Sequence, residues 1–208
     1  DFFSRPAGAF ALSPVSGWSQ PGGDGCFVAV ADELAALGGT GSSTLIGGAG
    51  SSYQQLFTPT TTDYLSSYTI QKGVPPLGGG STEPLTLDGM VCSGFELNGV
   101  NAGIPTIKFN WVGRSLATGT SLATASYATG VVPMSFVDGN VTVGGTITVP
   151  TTTALGSSSG SASANVRDFK LNYSNALDPN GWNFGGAGKR SRKPAVGKRA
   201  ITGSLTVE

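Results

Sequence analysis

The sequence contains no histidine and only two cysteines, Cys26 and Cys92, in 208 residues. Without histidine the commonest general base and metal ligand is gone. Two cysteines alone make no zinc site and are too few for a disulfide framework in a chain of this size. Two buried reduced thiols are expected rather than a bridge. Charge is scarce as well: acids and bases make up 12% of residues, against a usual share of about 25%. No apolar run approaches the roughly 20 residues that a membrane helix needs, so membrane insertion is not expected. No secretory signal is read within these 208 residues. The chain opens at Asp1 without a methionine and stops at Glu208 directly after a strand-like segment, so both ends read as trimmed.

Catalytic and cofactor motifs are missing too. The glycine clusters Gly47–Gly50 and Gly78–Gly80 lack the Lys-Ser/Thr of a phosphate-binding loop. Asp138-Gly139-Asn140 looks like part of a calcium loop, but a hairpin turn needs the same residues. The acids are scattered, and a pair such as Asp24 and Asp32 carries no recognisable chemistry. We therefore expect no enzyme and no cofactor.

Present instead are 33 glycines, many serines and threonines, and four strand-like segments joined by Gly/Ser/Thr-rich stretches. These segments are Leu85–Leu97, Pro105–Gly113, Val166–Ser174 and Ala200–Val207. Three alternate cleanly. Ile107, Phe109 and Trp111 oppose Lys108 and Asn110; Phe169, Leu171 and Tyr173 oppose Lys170 and Asn172; Ile201, Leu205 and Val207 oppose Thr202, Ser204 and Thr206. A period of two puts one set on each face of a half-buried antiparallel sheet. The aromatic sets of the first two are expected in the core.

Elsewhere the signals are weaker. Residues 1–23 read as an irregular arm, and 26–37 as a short strand followed by one or two helical turns near Asp32–Leu37. Residues 38–52 and 151–164 read as Gly/Ser/Thr loops. Leu65–Gln71 reads as a strand broken at Gly73 and Pro75-Pro76. Asn98-Gly99 signals a hairpin between the first two strong segments, and Met134–Val137 with Val141–Val143 a second one, with Ile147–Val149 following. The expected organisation is an N-terminal arm and loop region over 1–49 and a β domain over 50–208, trimmed at its C-terminus. The stretch 175–199 between the last two strands is too long for a simple connection inside a compact domain.

The neutral total hides an asymmetry. Residues 1–188 carry eleven acids and six bases, a net of −5, and residues 189–208 carry six bases and one acid, a net of +5. The basic cluster is Lys189, Arg190, Arg192, Lys193, Lys198 and Arg199. It suits docking onto an acidic patch of another copy. No base-stacking aromatics interleave it, although Trp182 and Phe184 lie upstream. A solvated loop is the plain alternative.

The succession YQQLFTP (Tyr53–Pro59), SYTIQKG (Ser67–Gly73), GMVCSGFELNG (Gly89–Gly99), PTIKFNWVGRSL (Pro105–Leu116), VPMSFVDGNVTVGG (Val132–Gly145), VRDFKLNYSNAL (Val166–Leu177) and ITGSLTVE (Ile201–Glu208) resembles the tail tube, or major tail, proteins of long-tailed bacteriophages. The order of the pieces carries the likeness more than any one of them, and it covers residues 50–208. The resemblance implies a β-sandwich or half-barrel with one short helix, six copies to a ring, rings stacked into a tube with other tail proteins, and genome DNA passing through the lumen. It implies a place in the virion tail, assembly in the host cytoplasm, and no enzymatic activity.

Two physical constraints agree with that picture. Open antiparallel sheets expose edges that must be covered, charged or paired, and this chain has little charge to spare. A basic wall would bind passing DNA, whose duplex carries about one charge per 1.7 Å, whereas a polar and nearly neutral wall would not. The lumen candidates are Asp88, Glu96, Lys108, Asn110, Asp168, Lys170, Asn172, Thr202, Ser204 and Thr206, and an ordinary solvated face would carry the same residues. The rival reading is a secreted or surface β-sandwich that binds a glycan or a protein, with Trp18, Trp111 and Trp182 as exposed candidates. Another virion shell protein is a third reading.

Overall fold

The computed structural model describes residues 10–12, 39–45, 53–124, 135–138, 142–143, 146–148, 157–158, 161–162 and 166–208. The described residues are mostly β, and every strand pairing among them is antiparallel. In chain order the strands are β1 (Phe10–Leu12), β2 (Gly39–Leu45), β3 (Tyr53–Pro59), β4 (Tyr68–Val74), β5 (Glu83–Gly99), β6 (Thr106–Val112), β7 (Ser115–Ala117), β8 (Thr142–Val143), β9 (Ile147–Thr148), β10 (Ser157–Ser158), β11 (Ser161–Ala162), β12 (Val166–Ser174) and β13 (Ala200–Val207). Helical structure among the described residues is one 3-10 turn at Phe136–Asp138.

The 17-residue β5 is the spine. Its first half pairs with β4 on one side and β7 on the other; its second half pairs with β12 and β6. Strand β13 is added outside β12, and β1 outside β4. Two register shifts, opposite Tyr68/Ile70 and at Cys92/Gly94, let one strand serve both halves. Each inserts an extra β5 residue and turns the strand. Gly89, inside the first shift, has φ +62°, and a Cβ there would lie 2.8 Å from Arg114 Cβ, so both conformation and space call for glycine.

The core follows the period-two pattern. Cys92 and Phe109 are buried, with Tyr68, Phe95, Ile107, Trp111 and Tyr173 packed against them. Phe95 stacks on Tyr173 at 5.6 Å between centroids, and Tyr68 meets Trp111 edge-on at 5.9 Å. Leu65, Ile70, Met90 and Val91 are also buried. Of the six residues expected in the core only Phe109 is buried; Ile107, Trp111 and Tyr173 are half-buried but pack against it, whereas Phe169 and Leu171 are half-buried outside that cluster. They stand next to β13, beyond which no described strand lies. The Phe169 ring lies where a Cβ on Gly99 would be, so that glycine lets the ring settle onto the neighbouring strand.

The four strong segments are strands within two residues of their expected bounds. Several other expectations need correction. The supposed loop 38–52 contains β2, paired with β3 along its whole length, and the supposed arm contributes β1 to the main sheet. Thr151–Ala164 contains β10 and β11, which pair with β9 and β8. Strands β2, β10 and β11 are built almost wholly from Ser, Thr, Gly and Ala and carry no apolar period to read, and β1, with three residues, is too short to show one. Phe136–Asp138 is a 3-10 turn rather than the first arm of a hairpin. Strand β4 runs through Gly73 to Val74. Asn98 and Gly99 belong to β5, and the turn lies beyond them, closed by Gly103 N–H donating to Val100 O at 3.1 Å. The helix expected near Asp32–Leu37 lies outside the described residues.

Candidate assembly interface

In the second half of the sheet the strand order is β6-β5-β12-β13, and the register fixes which residues share a face. Glu96 stands opposite Lys108 on one side and Asn172 on the other. Lys170 stands between Asn98 and Ser204, and Asn172 between Glu96 and Thr202. Asn110 faces Gly94, and Asp168 faces Thr206. Nine of the ten lumen candidates therefore lie on one continuous polar face carrying two acids and two bases. Asp168 accepts the Asn101 N–H at 3.1 Å, anchoring the β5–β6 turn to β12. Asp88 stands apart in the first half of β5, where it faces Ser115 across the register and accepts from the Thr69 hydroxyl at 3.4 Å.

The stretch 175–199, hereafter the strap, crosses one end of this polar face, over Glu96, Asn110 and Asn172. It leaves β12 at Asn175, which is fully buried. The Asn175 N–H donates to Ser93 O at 2.8 Å, its Nδ2 to Cys92 O at 3.1 Å, and its Oδ1 accepts from Tyr173 Oη at 3.2 Å and Arg199 Nε at 3.1 Å. Burial beside this residue pushes the Tyr173 phenol above its ordinary value, with Arg199 opposing the shift and Cys92 adding to it. The strap then reaches the junction of β6 and β7, where Arg190 N–H donates to Arg114 O and Arg114 Nε to Arg190 O, both at 3.3 Å. Between strap and sheet lies a cavity of about 410 Å³ bordered by Glu96, Asn110 and Asn172 below and Leu177, Pro179 and Arg190 above.

This placement divides the basic cluster that was expected to dock onto another copy into inward-held and exposed members. Arg190 is 6% exposed. Its guanidinium donates to Pro179 O at 2.9 Å and to Asn180 O, and lies 5.1 Å from the Trp182 ring centroid. Its Nε and the Nη2 of Arg199 are buried without hydrogen-bond partners. Arg192 pairs with Asp178 at 2.7 Å. The Asn180 N–H, and then Arg192, hold the Asp178 carboxyl below its ordinary value. The three arginines are thus used inside their own subunit, while Lys189, Lys193 and Lys198 are exposed. A planar guanidinium can satisfy several carbonyls at once and is weakly hydrated for a cation, which is why arginine is the basic residue that folds inward.

Strand β13 is the reverse case. Every one of its residues is exposed, including Ile201 at 67% and Leu205 at 47%. Among the described residues it pairs with β12 alone, and β6 with β5 alone. The sheet therefore has two open edges, one at each side of the polar face.

Sequence reasoning missed Asn175, because an asparagine after a strand looks like any loop residue. It also missed the buried thread from Gln71, whose Nε2 donates to Thr86 Oγ1 at 2.9 Å and to Ser121 O at 3.1 Å, and whose Oε1 accepts from Ala123 N–H. The aromatic platform of the rival reading is not assembled: Trp111 packs in the core, Trp182 lies against Arg190, and Trp18 is outside the described residues. Among the described residues no group of three or more His, Cys, Asp or Glu could hold a metal ion, and no helix is long and apolar enough to cross a membrane.

Among curated proteins none matches this chain. A family model described as phage tail tube protein matches residues 7–208, a longer stretch than the 50–208 over which the sequence resemblance runs. With nearly its whole length matched, the chain belongs to the phage tail tube protein family and is a structural protein of the virion tail.

Proposed function

We propose that six copies of this chain close into a ring through their sheet edges, that rings stack into the tail tube, and that the part of the polar face left open by the strap lines the conduit through which DNA leaves the virion. The observation that carries this reading is the pair of open edges. Because neighbours alternate in direction along β6-β5-β12-β13, β6 and β13 run oppositely. Laying β13 of one copy beside β6 of the next therefore continues an antiparallel sheet without a break. The edges also match in length, at eight and seven residues. Closing the sheet removes both of these edges and gives the exposed apolar side of β13 a neighbour to rest on.

The size is consistent with a DNA conduit. Six four-stranded sheets give about 24 strands, which at about 4.8 Å spacing make a circumference of about 115 Å before strand tilt widens it. The backbone diameter is then about 37 Å or more, a bore that the inward side chains narrow throughout and that the strap narrows further over Glu96, Asn110 and Asn172. The face that would line it has balanced charge and is rich in Asn, Ser and Thr, so it offers few fixed cations to hold phosphate. The role is structural, with no catalytic step.

Negative-stain microscopy of concentrated full-length protein tests the reading. Six-fold rings or tubes with a central bore are expected. Dispersed monomers across a wide range of concentration and salt would overturn it.

A further inference from the structure

Within the strap, residues 181–191 form a closed excursion. Both the Ser191 N–H and Oγ donate to Gly181 O, at 2.8 and 2.9 Å. Asn183 Nδ2 donates to Ser191 Oγ at 2.9 Å, Gly186 N–H to Asn183 O at 3.3 Å, and Lys189 N–H to Gly186 O at 2.9 Å. The root is held by buried Arg190 against Arg114, at the junction of β6 and β7. This tied-down loop carries its large apolar side chains outward: Phe184 is 108% exposed and Trp182 56% exposed. An ordered loop that holds Phe184 bare in water, beside a Trp182 backed by Arg190 and open on its other side, has the makings of a docking anchor. Its conformational entropy is already lost, and aromatic anchors of this kind dominate interface energetics.

We propose that Trp182 and Phe184 dock on the adjacent copy of this chain across the β6 edge, clamping the lateral junction within a ring. The inference rests on the edge-to-edge ring described above. Two observations select a second copy as the partner. The excursion is rooted at Arg114, the residue that follows the open β6 edge, so the strap leaves one side of its own sheet and delivers its tip to the side where the next subunit begins. Exposed Lys189 and Lys193 flank the tip, and residues 1–188 of the neighbour carry a net charge of −5, so charge brings the tip towards another copy. Both aromatics would then be covered by the neighbour, with the lysines left at the wet rim.

The test compares three full-length variants: Phe184→Ser, the double variant Trp182→Ser with Phe184→Ser, and Leu205→Lys on β13. Far-UV circular dichroism and thermal melting report the fold, and light scattering reports the lowest concentration at which tubes grow. Phe184→Ser is expected to leave the melting midpoint unchanged and raise that concentration about tenfold, and the double variant about thirtyfold or more. Leu205→Lys is expected to abolish rings. If both tip variants assemble at the parent concentration while Leu205→Lys does not, the clamp is wrong and the ring stands. If Leu205→Lys also assembles normally, the edge-to-edge ring falls with it. Normal rings that no longer stack in the tip variants would place the tip between rings and overturn the lateral clamp.

Discussion

The strap and β13 are neighbours in the chain and opposites in the fold. The strap contains no regular strand or helix, yet it holds a fully buried asparagine, a buried arginine and an ion pair. Strand β13 is a regular eight-residue strand with every residue exposed. Regular backbone and burial within the subunit are therefore separate properties here. The strap gets its order from polar groups of its own subunit, since each main-chain group it buries must find a partner. Strand β13 gets its shape from one paired edge and leaves the other side and the apolar face unspent. A strand of this kind is a liability in a monomer and an asset in a closed assembly.

The largest expected effect contrasts two apolar residues of similar sequence appearance. Phe109 and Leu205 both occupy the apolar phase of an alternating strand, but Phe109 is buried and Leu205 is 47% exposed. Phe109→Ala should destabilise the monomer by about 3–5 kcal/mol, from lost transfer energy and an unfilled cavity. Leu205→Ala should change it by no more than about 0.5 kcal/mol. Urea unfolding at a concentration too low for assembly measures both. Equal losses would mean that β13 is covered within its own subunit and that the comparison is false.

Next comes the basic cluster, where sequence alone treats all six residues alike. Arg190→Ser removes the donor to Pro179 O and Asn180 O and the cation over Trp182. The expected loss is about 2–4 kcal/mol, since charged hydrogen bonds and the packing of a buried side chain are lost together. Exposed Lys193→Ser should stay within about 0.5 kcal/mol. The same unfolding measurement separates them, and a negligible loss for Arg190→Ser would mean that the strap is not anchored by it.

Much of the sheet was legible because its strands carry an apolar period. Phe109, Trp111 and Tyr173 announce their face through Lys108, Asn110 and Asn172, and the register then places nine of the ten polar candidates together. What was not legible had no such period. Strand β2 reads GTGSSTL, and nothing in it distinguishes a pairing strand from a loop until Tyr53–Pro59 lies beside it. Arg190 was unreadable for another reason. Burial of a single arginine depends on two carbonyls and a ring that converge only after the strap has folded. The half-burial of Phe169 and Leu171 was misjudged because a period of two reports which face a residue takes, and not whether anything covers that face.

The smallest expected effect lies where the strap leaves β12. Ala176 has φ +46°, in the left-handed region that a Cβ disfavours, and Ala187 in the excursion has φ +50°. Ala176 is held there because Asn175 must bond Ser93 on one side while Gly197 N–H bonds both Asn175 O and Ala176 O, at 3.1 Å each. The strap's many bonds therefore outweigh a local strain of about 1–2 kcal/mol. Ala176→Gly removes that strain but gives the unfolded chain more freedom, which cancels part of the gain. A net stabilisation of about 0.5–1 kcal/mol is expected, read as a rise in the unfolding midpoint with an unchanged denaturant slope. A destabilisation instead would mean that Ala176 adopts an ordinary backbone conformation in solution. The strap would then be held less tightly by its own subunit than its contrast with β13 requires.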